Sequence, residues 1–394
     1  MSDQYDAIVI GAGSVGAAAA FYLARAGRRT LLLEQFAVGH ARGSSHGESR
    51  IIRHSYAEVD YVTLAPPAIA LWRELEAESG ARLLDLIGGI DMGRPDHPQM
   101  AGRLRALVAA GVPFELLEGE EAAAAAPQFR LPAGWAVLRQ AGAGILAAGR
   151  CVRALAGRAV AHGATLREGA VVREVRPDGA GVAVRYAGPE GERTVRADRA
   201  IVAAGPWAGQ FFAQLGLPAP LFVSHQQVVY YPVAEPARFD PARCPIYIAW
   251  GDPGFYGFPI WERPGLLKIA IELDDPIDPD TPPLPPDPIA LGRLNALVAE
   301  LLVGVRPEPA EVVSCRYTST PDGDFIIDRH PEHPQILLAS PCSGHGFKFS
   351  IASGRLLADL AQRPAGDYAS PLWRDRFRLA RPSLTATAQR AERP

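Results

Sequence analysis

Only two of the forty basic residues are lysines, Lys268 and Lys348, and the other thirty-eight are arginines. Lysine is normally among the commonest residues, and the chain also holds a single asparagine, Asn295. A composition bias has therefore replaced lysine wherever a generic cation serves. A compact ammonium with a tunable pKa does what a guanidinium cannot, which marks both positions as candidates for chemistry. Lys268 falls in Gly265-Leu266-Leu267-Lys268-Ile269-Ala270-Ile271, an apolar strand pattern in which a charge needs a reason. Lys348 falls in the glycine-rich turn Ser343-Gly344-His345-Gly346-Phe347-Lys348, ahead of a helical pattern over residues 350–360.

The elements that must position these lysines begin at the N-terminus. Residues 7–10 form an apolar strand, followed by Gly11-Ala12-Gly13-Ser14-Val15-Gly16 and an alanine-rich helix to about residue 26. In a strand, glycine turn and helix of this kind, Gly11 permits the tight turn and Gly13 lets the backbone approach a pyrophosphate. Gly16 allows close packing of helix on strand, and the diphosphate lies at the positive helix end. A second strand over residues 30–33 ends in Glu34, placed where a dinucleotide fold needs an acceptor for ribose hydroxyls. Ala200-Ile201-Val202-Ala203-Ala204-Gly205-Pro206-Trp207 returns the chain to the same layer much later. Between the two blocks, residues 171–175 and 182–186 alternate around Asp178-Gly179 as a hairpin. So late a return points to FAD.

Length and composition agree with a large globular protein. A chain of 394 residues has a prior of two or three domains, and a formal charge of −3 gives no reason to expect nucleic acid. Four cysteines, Cys151, Cys244, Cys315 and Cys342, are too few for a disulfide framework and point to a reducing compartment. The N-terminal Ser2-Asp3-Gln4-Tyr5-Asp6 has no signal-peptide character, no apolar stretch reaches membrane-spanning length, and Ala391-Glu392-Arg393-Pro394 matches no peroxisomal address. The expectation is a cytoplasmic protein without a membrane partner.

Three separated motifs carry a resemblance. They are Arg42-Gly43-Ser44-Ser45-His46-Gly47-Glu48-Ser49-Arg50-Ile51-Ile52-Arg53-His54, Ser314-Cys315-Arg316-Tyr317-Thr318, and Ser343-Gly344-His345-Gly346-Phe347-Lys348-Phe349-Ser350. In this order they resemble the monomeric sarcosine oxidase and N-methyltryptophan oxidase family, over most of the chain to about residue 360. The resemblance implies an α/β fold, α+β overall, with a glutathione-reductase-like FAD domain and an antiparallel-sheet substrate domain. It divides the chain into an FAD domain of residues 1–82, 143–220 and 320–394 and a substrate domain of residues 83–142 and 221–319. The implied reaction oxidises a secondary amino acid to an imine that water hydrolyses, with oxygen reduced to hydrogen peroxide. The implied partners are a small amino-acid substrate and oxygen, acting on a monomer.

The roles implied by the resemblance fall on particular residues. Cys315 is expected to join the flavin through its sulfur, and the adjacent Arg316 to favour the thiolate. Lys348 and Arg53 are expected to hold the substrate carboxylate, which fixes the α-carbon for hydride transfer. Lys268 is expected on the oxygen side of the flavin, where a cation stabilises reduced oxygen. His46 and Arg50 are implied beside the flavin ring, and Tyr256 and Tyr317 beside the substrate. The implied cofactor-binding set is Gly11, Gly13, Ser14, Val15, Gly16, Glu34, Ser44, Ser49, Arg50, Val172, Cys315, Gly344, Gly346, Phe347 and Lys348.

One departure bears on the substrate. Four residues after Lys268 the sarcosine oxidases have a histidine, and here Glu272 stands instead. Lys-x-x-x-Glu is similar to the fructosyl-amine oxidases, and Glu272 is a candidate contact for a substrate cation or sugar hydroxyl. Against that stands a solvated turn shared with Asp274 and Asp275. An FAD dehydrogenase with a non-oxygen acceptor and a flavin-bearing sensor without turnover are the competing classes. The proline-rich residues 276–288 read as a rigid surface crossover, and residues 122–126 as a short helix without chemistry.

Overall fold

The computed structural model describes residues 4–217, 220–261, 263–364, 366–367 and 375–384. Ser2, Asp3 and residues 391–394 lie outside the described residues. The apolar run at the start forms the strand Gln4–Ile10, paired in parallel with Thr30–Leu33 on one side and Gly191–Val202 on the other. Thr165–Arg167 extends the parallel layer at one end, and Ile336–Ser340 joins it through Gly191–Val202. Val9 packs among helices on one face while Ile8 packs into the opposite core, so both faces are covered. This is why the strand reads as a continuous apolar run instead of an alternating one. The hairpin Val171–Asp178 and Gly181–Gly188 completes this eight-stranded sheet together with Ile326–Arg329.

Helix Ser14–Arg25 leaves the glycine turn and lies across helix Ser350–Gln362. Contact is close because Gly354 has no side chain: a Cβ there would lie 2.3 Å from that of Ala18. The N-terminal glycine fingerprint and the lysine-bearing turn are thereby locked together, although more than three hundred residues separate them.

A second eight-stranded sheet runs in the order Glu311–Ser319, Phe222–Pro232, Leu266–Ala270, Phe255–Gly257, Ile246–Trp250, Gly89–Gly93, Ala136–Gln140 and Glu115–Leu117. Its pairs are antiparallel except Ile246–Trp250 with Gly89–Gly93. Helix Pro288–Leu301 buries Leu294 and Val298 against it. A third, small sheet pairs Gly144–Ala147 with Ser49–Ile52 on one side and Leu84–Asp85 on the other.

The proline-rich segment is a strap. Ile277 N donates to Val223 O at 2.7 Å, and Asp287 ends the segment by capping the helix with its carboxylate on Ile289 N at 2.8 Å. Between these points Trp207 Nε1 donates to Asp280 Oδ1 at 2.7 Å, and Arg316 donates to Thr281 O. The strap thus crosses from the second sheet to the rim of the first. The four cysteines are free of disulfides. Among the described residues no helix is long and apolar enough to cross a membrane, and no cluster of His, Cys, Asp and Glu could hold a metal.

Candidate active site

Two cavities meet between the sheets. The first, of about 280 Å³, is lined by Gly11, Gly13, Ser14, Val15, Glu34, Ser44 and Val172, and continues to Gly344, Gly346 and Phe347. The glycine turn at its wall can face an anion. Gly13 occupies the N-cap of helix Ser14–Arg25 without capping it by a side chain; Ser14 N donates to Ser45 Oγ at 3.2 Å, and the next N–H groups of the first turn have no intrahelical partner. Gly11 has φ +97° and a Cβ there would lie 2.5 Å from Ala203 O. Gly16 does not line the cavity; a Cβ there would meet Gly11 O at 1.9 Å, so it serves the packing of the turn. Glu34 accepts from Ala12 N at 2.8 Å and Phe36 N at 2.9 Å, with His40 Nε2 at 3.4 Å. Burial raises its carboxyl, but the His40 contact and the two backbone donors outweigh this and hold it below the usual range. It is a fixed anion at the cavity wall.

The second cavity, of about 120 Å³, gathers residues from seven separate segments: Ser49, Arg50 and Arg53; Gln226 and Val228; Ile248 and Trp250; Tyr256; Lys268 and Glu272; Cys315 and Tyr317; and Gly344, Phe347 and Lys348. Arg50, Tyr317, Gly344 and Phe347 line both cavities, so the two form one continuous chamber. His46 lines neither. It is buried beside Cys315, with Nε2 lacking a hydrogen-bond partner among the described residues.

The two lysines are held differently. Lys268 Nζ donates to Ser49 O at 2.9 Å and Ser49 Oγ at 3.1 Å, and lies 4.7 Å from the Phe258 ring centroid. Burial, then repulsion from Arg50, depresses its pKa to about 7. Lys348 Nζ donates to Tyr56 OH at 2.8 Å and His345 O at 2.7 Å. Burial and the neighbouring Arg53 push its pKa well below the usual lysine value. Tyr256 OH and Tyr317 OH share a hydrogen bond of 3.1 Å, and burial lifts Tyr256 to about 12. Glu272 is exposed by area and lines the cavity. No described residue donates a hydrogen bond to its carboxylate. Desolvation by the surrounding protein raises its pKa against the opposing pull of Arg53 and Lys348. Asp274 and Asp275 are exposed as well, but of the three acids Glu272 alone lines the cavity.

The structure corrects the expected source of thiolate stabilisation at Cys315. Burial, the largest influence, pushes the thiol up, yet the His46 contact and the Arg50 charge bring it down to about 6. Arg50 Nη2 lies 4.0 Å from Sγ. Arg316 does not serve, because successive residues of strand Glu311–Ser319 point to opposite faces; its guanidinium instead binds Arg42 O and Thr281 O. Arg53 is also not on the surface. It is 8% exposed and pairs with buried Asp91 at 3.2 Å. Sequence reasoning missed Asp91, Arg103, Trp250 and His40; a charged residue at the centre of the buried strand Gly89–Gly93 is the same signal that marked Lys268.

The arrangement has the anion cradle, the fixed acid and the chamber that a flavin dinucleotide requires. A family model described as FAD dependent oxidoreductase matches residues 6–360. The chain is 34% identical to the peroxisomal sarcosine oxidase of Homo sapiens over 97% of both chains. It is 33% identical to the monomeric sarcosine oxidase of Bacillus sp. (strain B-0618) over 99% of both. In structure it is similar to NikD, an amino acid oxidase essential for nikkomycin biosynthesis, with a TM-score of 0.81 and 28% identity over 92% of this chain and 96% of that one. The chain belongs to the FAD dependent oxidoreductase family, the family that includes these sarcosine oxidases.

Proposed function

We propose that the protein oxidises an N-methyl or other N-alkyl amino acid with FAD and oxygen. The observation that carries this reading is the convergence of Arg53, Lys348 and Lys268 on one cavity that shares four lining residues with the dinucleotide cavity. Bound in the chamber, FAD would accept a hydride from the carbon next to the substrate nitrogen and pass the electrons to oxygen, giving an imine and hydrogen peroxide. Gly11, Gly13, Ser14 and Val15 would hold the diphosphate, Glu34 a ribose, and Ser44, Val172, Gly344, Gly346 and Phe347 the remainder. Gly16 would keep the turn tight, and Ser49 would orient Lys268.

Arg53 and Lys348 would bind the substrate carboxylate, and Tyr256 and Tyr317 would close the wall around the amine. Arg50 is stitched to Ser44 O, His46 O and Ser49 O at 2.9, 2.7 and 2.8 Å, so its charge is fixed where electrons would accumulate and costs no reorganisation during reaction. Lys268 supplies a second buried cation for reduced oxygen. In this reading residues 1–82, 143–220 and 320–394 form the cofactor domain and residues 83–142 and 221–319 the substrate domain. Four cysteines in 394 residues are too few for a disulfide framework, which supports a reducing, cytoplasmic setting, and the Bacillus relative's printed name supports a monomer.

The test is a peroxide-coupled assay under air with sarcosine, N-methyltryptophan, pipecolate, proline and fructosyl-glycine. Stoichiometric peroxide from at least one N-alkyl amino acid is expected. Turnover only with an artificial electron acceptor would replace the oxidase with a dehydrogenase. Glu272, a cavity-lining carboxylate to which no described residue donates, favours a second reading, in which the substrate carries an extra donor such as a sugar hydroxyl. Activity confined to fructosyl-glycine would establish it.

Covalent attachment through Cys315 is a separate proposal, supported by a thiol poised near neutrality beside His46 and Arg50. Acid precipitation of the holoprotein should carry the yellow colour into the pellet, whereas Cys315→Ala should release it. Because the thiolate forms as the proton leaves, attachment of added FAD to flavin-free protein should accelerate as pH rises through about 6. Free FAD in the supernatant of the unsubstituted protein would refute the linkage.

A further inference from the structure

The buried charges behind the second cavity do not balance. Asp91, 4% exposed, accepts from Arg53 Nη1 at 3.2 Å, Ser55 Oγ at 2.5 Å and Trp250 Nε1 at 2.8 Å. The oxygen that takes Arg53 and Trp250 also faces Arg103 Nε at 3.6 Å. Arg103 is 3% exposed, donates to Gln99 O and Gln99 Oε1 at 2.8 and 2.6 Å, and stacks 3.6 Å from the Trp250 ring centroid. Its Nε has no hydrogen-bond partner among the described residues. Two guanidinium groups therefore share one carboxylate. Arg53 lines the cavity and Arg103 does not.

The other acid that acts on Arg103, Glu58, is exposed and makes no ion pair with it. An arginine buried this deeply without a buried counterion of its own is costly for stability, and a well-packed apolar residue would serve folding better. Burial, then repulsion from Arg53, depresses its pKa to about 10, so it still carries its charge at neutral pH. Its presence has a consequence at the cavity. If Asp91 faced Arg53 alone, the pair would be neutral, and an incoming carboxylate would meet the field of Asp91 along with that of Arg53. With Arg103 on the same carboxylate, the trio carries one net positive charge at the cavity wall.

We propose that Arg103 is a positioning residue for substrate capture, which engages Asp91 so that the charge of Arg53 remains available to the substrate carboxylate. The inference rests on the reading that Arg53 binds that carboxylate. A unit charge a few ångströms away in a partly buried site changes binding by roughly 10- to 100-fold, which sets the expected effect.

The experiment uses the FAD-loaded enzyme and acetate as the probe, with binding followed by the change in visible flavin absorbance. Arg103→Gln should weaken acetate binding roughly 10- to 100-fold and raise KM for the amino-acid substrate by a similar factor, with kcat within about threefold. Arg103→Lys should recover most of the affinity. Charge balance makes a sharper prediction: Asp91→Asn should bind acetate at least as tightly as the unsubstituted enzyme, and adding Arg103→Gln to it should return affinity to within about fivefold of the original. A purely structural cluster predicts instead that the double variant is no better than Arg103→Gln, and that result would overturn the proposal. If Arg103→Gln alone does not fold, the comparison of Asp91→Asn with the double variant decides, and no loss of affinity between them overturns it. Arg53→Gln separates the two levels. Unchanged acetate binding in that variant removes the underlying reading, whereas its loss there with no effect at Arg103 removes this inference only.

Discussion

Lys268→Met should slow reoxidation of the reduced enzyme by oxygen by roughly 10²–10³-fold, the range typical of deleting one preorganised electrostatic partner. Reduction by substrate under anaerobic conditions should change by less than about tenfold, because the proposed carboxylate contacts are Arg53 and Lys348 and not Lys268. The asymmetry follows from the surroundings of the ammonium. It is buried, fixed on Ser49 O and Ser49 Oγ, and flanked by the Phe258 ring, so its charge acts through a medium of low polarity. Methionine keeps the length and removes the charge. The pKa near 7 adds a pH signature: the protonated amine is the active form, so oxygen reactivity should fall as pH rises through the neutral range, and the variant should lose that dependence. Stopped-flow separates the two half-reactions. A variant whose reoxidation is as fast as that of the unsubstituted enzyme would remove Lys268 from the oxygen reaction.

Lys348→Met should raise the dissociation constant for a carboxylate ligand by roughly 10²-fold, at the upper end of hydrogen bonds to charged groups. Stability should change less, since the amine leaves only Tyr56 OH and His345 O without a donor. Burial and Arg53 hold the free amine well below its ordinary pKa, and a bound carboxylate restores the reason to be charged. A bound carboxylate therefore favours the protonated amine, and affinity should decline with increasing pH in the unsubstituted enzyme. Titration calorimetry over a pH series follows that decline. The same decline in Lys348→Met would assign the carboxylate to other groups.

The parts of this site that could be read from the sequence are those where one residue broke a local rule. Lys268 interrupts an apolar strand and Lys348 sits among glycines in a chain that otherwise avoids lysine. The dinucleotide half was readable because its strand, turn, helix and acid are contiguous; the parallel pairing of Gln4–Ile10 with Thr30–Leu33 and Gly191–Val202 follows from that order. The family model and the sarcosine oxidases agree with the resemblance drawn from the three motifs. Arg316 was assigned to the thiol because it is adjacent in sequence, and the two-residue period of a strand sends it to the other face. Arg103 was silent for a different reason. Its meaning depends on Asp91, Trp250 and Arg53, and only the packing of helix Pro98–Ala109 beside strand Gly89–Gly93 brings it to them.

Arg50, Tyr317, Gly344 and Phe347 belong to both cavities, and this divides the chamber into a part open to change and a part that is not. With the cofactor seated as proposed, a new side chain at any of the four would alter that seat together with the shape offered to the substrate, so selection for a new substrate there would also be selection against cofactor retention. Ile51 and Ile248 line only the second cavity. Variant libraries aimed at substrate range would accumulate their productive changes at those two positions, while the shared four stayed fixed from one evolved specificity to the next.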